Sequence, residues 1–164
     1  MTAPSAETVT TYQFATQLAQ GESYEAKIDD FFRSKFNVQI SAVDRPTQRK
    51  GIDRVWYDVA DDRTWTVEYK ADSLAGKTGN AFVETISVDT EQRPGWAYSS
   101  QASLLVYLVT DPQTIYVISM ARLRRNLARW AAVYPIRQAA NDGYNTHGLL
   151  VPLHELERIA AAVY

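Results

Sequence analysis

A chain of 164 residues, 46% hydrophobic and 12% aromatic, is long enough to bury one sizeable core and short for two, so residues 1–164 are expected to form a single domain. Having no cysteine, it carries no disulfide, zinc–thiolate site or cysteine nucleophile. The formal net charge of -2 lacks the basic excess usual in phosphate binders, although basic residues cluster locally.

In chain order, the opening MTAPSAETVT is small and polar and is expected to fray. It has no basic stretch followed by an apolar one, as a leader would. A helix is expected through Leu18, interrupted at Gly21, and a second one over 22–36, in which Ile28, Phe31, Phe32 and Phe36 recur at helical spacing. On that second helix Glu25 shares the apolar face with Ile28 and Phe32, whereas Glu22, Asp29 and Arg33 line the polar side. Residues 37–43 read as the first strand, and residues 52–60 and 64–72 as a hairpin turning at Asp61-Asp62. The glycine-containing stretch 74–80 reads as a loop and 82–89 as an alternating strand. A short crossover helix is expected over 96–103. The run LLVYLV at 104–109 suits a strand buried on both faces and is far too short to span a bilayer. Next come the strand TIYVIS and a helix over 121–134, with Leu123, Leu127 and Trp130 inward and Arg122, Arg125 and Arg129 outward. A short helix from Val151 closes the chain. This order predicts an α/β fold, a mixed β-sheet flanked by helices, in a cytoplasmic protein away from membranes.

The stretch GIDRVWYDVADDRTWTVEYKAD, residues 51–72, carries the chemistry. A two-residue turn at Asp61-Asp62 pairs Ala60 with Arg63, sets Asp53 opposite Lys70, and leaves Glu68 on the adjacent diagonal. All three then share one face, provided the register holds. Two carboxylates held together repel unless a cation neutralises them. Mg²⁺ fits, because it takes oxygen ligands, commonly one or two carboxylates completed by waters and phosphate oxygens. A nearby lysine stabilises charge developing on phosphorus. Such a set is equipped to hydrolyse a phosphodiester.

Asp53 followed by Glu68-Tyr69-Lys70 resembles the bipartite D…ExK signature of the PD-(D/E)xK nuclease superfamily, and GESYEAKIDDFF is similar to the opening helix of its Holliday junction resolvases. The resemblance covers about residues 21 to 89. It implies a restriction-endonuclease-like fold, with an α-β-β-β-α-β core and C-terminal additions. It further implies a DNA endonuclease of branched, Holliday-junction-like DNA, with Glu25, Asp53 and Glu68 as metal ligands and Lys70 assisting. Mg²⁺ is the implied cofactor, Mn²⁺ a substitute, and a homodimer the implied assembly, since cutting two strands needs two sites. The family's proline before the aspartate is replaced here by Gly51-Ile52.

Further candidates surround this set. Lys77, Thr78 and Asn80, in AGKTGN, offer donors to a phosphate without being a Walker A sequence. Arg49, Lys50 and Arg54, together with Arg45, crowd one loop, and Arg122, Arg124, Arg125 and Arg129 one helix. Each group is a candidate DNA contact or a solvated face. Glu84 alternates with Phe82 and Ile86 and is placed as an outer acid or a partner for Lys70. His147 and His154 have no zinc-site spacing. Two rival readings stand beside the nuclease: a catalytically silent nucleic-acid-binding protein, and a protein-interaction module anchored by aromatics such as Trp56, Trp65 and Trp96.

Overall fold

The computed structural model describes the backbone from Ala6 and the side chains from Ala19 through Tyr164. Residues 1–5, the first half of the stretch expected to fray, lie outside the described residues. The chain divides into two compact units, Met1–Asn37 and Val38–Tyr164.

The first unit is one helix, α1 (Ala6–Lys35), which runs through Gly21 without a break. A glycine in a helix interior costs about 1 kcal/mol relative to alanine, a penalty that thirty residues of helix absorb. Ile28 and Phe32 are buried and Glu25 is half-buried, as the spacing predicts. The rings of Phe32 and Phe36 stack at 5.8 Å. Asp29 departs from expectation, being buried rather than on the solvated side.

The second unit holds two sheets. The first contains β1 (Val38–Ala42), β2 (Arg54–Asp58), β3 (Arg63–Asp72), β6 (Leu104–Thr110), β7 (Gln113–Ser119) and β10 (Ala162–Val163) in the order β1-β2-β3-β6-β7-β10. Only the β3–β6 pair is parallel, so the sheet is mixed and the fold is α/β. The second is antiparallel, β5-β4-β9-β8, from β4 (Asn80–Val88), β5 (Arg93–Pro94), β8 (Ile136–Ala140) and β9 (Asn145–Pro152). Short helices α2 (Arg45–Gln48), α3 (Ala75–Thr78) and α4 (Trp96–Ser99) lie in the connections, with α5 (Met120–Val133) and α6 (Leu153–Ile159) toward the C-terminal end. One core joins them: Leu105, Tyr107 and Val109 of β6 pack with Val83, Leu149 and Val151 of the second sheet and with Leu123, Leu127 and Trp130 of α5.

The β2–β3 turn is longer than the sequence predicts. Asp58 pairs with Arg63, so four residues, 59–62, make the turn instead of two. Asp58 accepts the amide hydrogens of Ala60 and Asp61, at 2.9 and 3.3 Å, and Asp62 adopts φ 50°. An aspartate closing a local turn through backbone amides competes well with two more ladder bonds. The register therefore slips by two, an even number, which changes the partners but keeps every side chain on its expected face.

Candidate active site

Arg54 pairs with Val67, and continuing that register one residue sets Asp53 opposite Glu68, not opposite Lys70 as the shorter turn would have it. Directly opposed residues of an antiparallel pair share a face. At Asp53 the regular ladder ends: its N–H donates to the Val67 carbonyl at 2.8 Å, and its own Oδ2 accepts from the Tyr69 N–H at 2.8 Å. The side chain thus takes over the acceptor role of a strand carbonyl and is pinned against β3.

Upstream, the backbone turns away through Gly51, whose φ of 72° lies in the left-handed region. A Cβ there would stand 2.9 Å from Ser100 and 3.0 Å from Glu68 Oε2, so only glycine lets the chain pass. The Ser100 hydroxyl donates to the Gly51 carbonyl at 2.8 Å, and the Gln101 N–H to the Lys50 carbonyl at 2.8 Å. Arg124 holds the other side of that clamp, donating to the carbonyls of Ala97 and Ser100.

Alternation on β3 puts Glu68, Lys70 and Asp72 on the face shared with Leu105, Tyr107 and Val109 of β6. Glu68 is 3% exposed. Its Oε1 lies 2.7 Å from Lys70 Nζ, whereas Oε2 is buried with no hydrogen-bond partner among the described residues. Glu84 approaches from β4, its Oε1 accepting the Trp96 N–H at 3.2 Å. The ladder between β4 and β9 shifts between Glu84 and Ile86, a bulge of the kind that re-aims side chains next to functional sites.

Burial pushes the Glu84 carboxyl above its usual range, and the neighbouring Glu68 charge adds to this, against the Trp96 N–H and Lys70. Burial alone would lower the Lys70 ammonium. Attraction to Glu68, then to Asp53 and Glu84, outweighs it and holds the pKa above the ordinary lysine value. With their charged forms taken together, three carboxylates and one ammonium leave two uncompensated negative charges, the complement of one divalent cation.

No family model, curated protein or solved structure matches this chain. The chemistry of the site therefore rests on its own geometry. Among the described residues no group of three or more His, Asp or Glu side chains is arranged to hold a metal unaided. Asp53 and Glu68 are two, the number Mg²⁺ commonly takes from a protein, and a buried oxygen that no donor among the described residues satisfies is the kind of ligand a cation would complete. The residues present fit the ion.

The remaining candidates separate. Glu25 lies on α1, in the other unit, and its role rests on the family resemblance alone. Thr78 and Asn80 bond to each other, the Thr78 hydroxyl to the Asn80 carbonyl at 3.2 Å and the Asn80 amide to the Thr78 carbonyl at 2.9 Å. The expected loop there is the one-turn helix α3, capped by Gly79 at φ 72°, which leaves Lys77 exposed. Arg45, Arg49 and Lys50 are exposed around α2. Arg54 donates to the Asp53 carbonyl at 2.9 Å and lies 5.5 Å from the Tyr69 ring centroid.

On α5 the expected solvated arginine face is partly structural. Arg122 bonds the Ile159 carbonyl at 3.1 Å, and Arg129 bonds the buried Glu155, shared with Arg158 at 2.9 Å and Tyr134 at 2.9 Å. Ser100, Trp96 and Arg124 were not legible as site-builders, since each acts from a distant part of the chain.

Proposed function

We propose that this chain is a Mg²⁺-dependent endonuclease that hydrolyses DNA phosphodiesters, built on a restriction-endonuclease-like fold of the PD-(D/E)xK type. The observation that carries the reading is the buried Oε2 of Glu68, without a hydrogen-bond partner among the described residues, near Asp53 and beside Lys70. A buried carboxylate oxygen without a donor costs several kcal/mol unless a bound group completes it, and the deficit of two positive charges makes a divalent cation the natural group.

Asp53 and Glu68 would hold the ion, which when bound supplies Lewis-acid polarisation of the phosphodiester and an activated water. Tyr69's amide fixes the Asp53 carboxylate, and Gly51, having no Cβ, keeps the chain from crowding Glu68 Oε2. Lys70 keeps its proton at Nζ, held by the surrounding carboxylates, and neutralises charge that develops on the phosphoryl oxygens. The exposed Arg45, Arg49 and Lys50 would contact flanking phosphates. A homodimer would supply the second active centre needed to cut both strands.

The deciding experiment incubates the protein with supercoiled plasmid and with a four-way DNA junction, in Mg²⁺, Mn²⁺ and EDTA. Cleavage in the two metals and none in EDTA is expected. Binding without cleavage in every metal would instead identify a silent nucleic-acid-binding protein, and neither binding nor cleavage would leave an interaction module.

A further inference from the structure

Beside Lys70 a cavity of about 390 Å³ opens between the two sheets of the second unit, with Asp72, Leu74, Phe82, Glu84 and Trp96 in its lining. That volume lies in the range of small-ligand sites. Its walls select the occupant. Asp72 is saturated: Oδ1 accepts the N–H groups of Leu74 and Ala75, both at 2.8 Å, and Oδ2 accepts the Tyr107 hydroxyl at 2.5 Å and the Phe82 N–H at 3.2 Å. Glu84 spends Oε1 on the Trp96 N–H at 3.2 Å. Lys70, the cation of the lining, is paired with Glu68 at 2.7 Å, which leaves the Asp72 and Glu84 carboxylates to repel a phosphate; the occupant is therefore uncharged, carries N–H donors for Glu84, and has an apolar surface for the Phe82 and Trp96 side.

We propose that this cavity receives an unpaired nucleobase adjacent to the cleaved phosphodiester, its N–H edge on the Glu84 carboxylate and its face toward Phe82, so that DNA with a splayed nucleotide is bound in preference to continuous duplex. The inference rests on the nuclease reading of the adjoining Lys70 site. A base within a duplex has its donor edge consumed and both faces stacked, whereas an extruded base exposes both at small cost when it is already unpaired.

The test measures binding in Ca²⁺ to three duplexes of equal length: fully paired, carrying a one-nucleotide guanine bulge, and carrying an abasic bulge. The guanine bulge is expected to bind about tenfold more tightly than either other duplex, the scale of one base stacking on an aromatic side chain. Phe82→Leu, checked for native circular dichroism, is expected to remove that preference and leave paired-duplex affinity unchanged. Equal affinity for guanine and abasic bulges overturns the inference even if cleavage of paired DNA persists, in which case the nuclease reading stands. Failure to bind or cut any DNA overturns both.

Discussion

At the scale of single residues, the candidate site concentrates its cost in Glu68. One oxygen is neutralised by Lys70 at 2.7 Å and the other has no donor among the described residues, an arrangement that stabilises little in isolation and becomes favourable when a cation joins it. Mg²⁺ should therefore raise the melting temperature. At ten times its dissociation constant the ion contributes about 1.4 kcal/mol, or roughly 3–6 °C for a domain of this size. Glu68→Gln and Asp53→Asn should abolish the shift, and scanning calorimetry with and without Mg²⁺ checks it; an undiminished shift in both variants would place the ion elsewhere. Lys70→Met should retain the shift while lowering the cleavage rate by about 10²–10³-fold, the scale of losing one charge-stabilising group. Gly51→Ala meets both a left-handed φ and Ser100, so it should disturb the site and the fold together.

Among elements, the second sheet is fastened by polar pins. Asp89, at the 3₁₀ turn (Asp89–Glu91) after β4, accepts the backbone and side-chain N–H groups of Asn145, both at 2.9 Å, which join the turn to β9. Those bonds depress its carboxyl to about 2. A depressed carboxylate stabilises the fold fully above its unfolded value, near 3.9, and that stability is lost as pH falls toward the folded value. Acid denaturation between about pH 4 and 2 should accordingly be shallower in Asp89→Ala, which should also be less stable at neutral pH; urea midpoints across that range check both. The α5–α6 pair is fastened through Glu155, whose carboxyl is held far below its usual range chiefly by Arg129, with Arg158, Tyr134 and Trp130 adding to it. Arg129→Met leaves the Glu155 carboxylate with fewer donors, and a lower denaturant midpoint is expected, an unchanged one showing that Arg158, Tyr134 and Trp130 suffice.

Over the whole molecule, the distribution of exposed cations decides where a polyanion would lie. Arg122 and Arg129 are engaged within the fold, so the salt-dependent footprint should centre on Arg45, Arg49 and Lys50, in the same connection that carries Gly51. Replacing all three with glutamine should reduce the slope of log affinity against log salt by about 2–3, near 0.9 for each phosphate that is no longer neutralised. A slope unchanged from the wild type would remove this loop from the DNA surface without touching the metal site. No described helix is long and apolar enough to cross a membrane.

Periodicity and local chemistry were enough to locate most elements, because alternation and helical spacing are written in neighbouring residues. LLVYLV is the central strand β6, Leu123, Leu127 and Trp130 are the buried stripe of α5, and Glu68 and Lys70 share one face of β3 by strand alternation. What depended on distant contacts was decided only in three dimensions. The exposed strand β8 (burial uniform along IRQAA) has no alternation to read, and it exists because β9 offers it a partner. Gly21 carries no penalty large enough to divide α1. The clamp of Ser100 on Gly51 and the diversion of Arg129 to Glu155 join residues 49 and 26 positions apart. Such pairings are set by how the sheets and helices stack, and no local pattern in the chain encodes them.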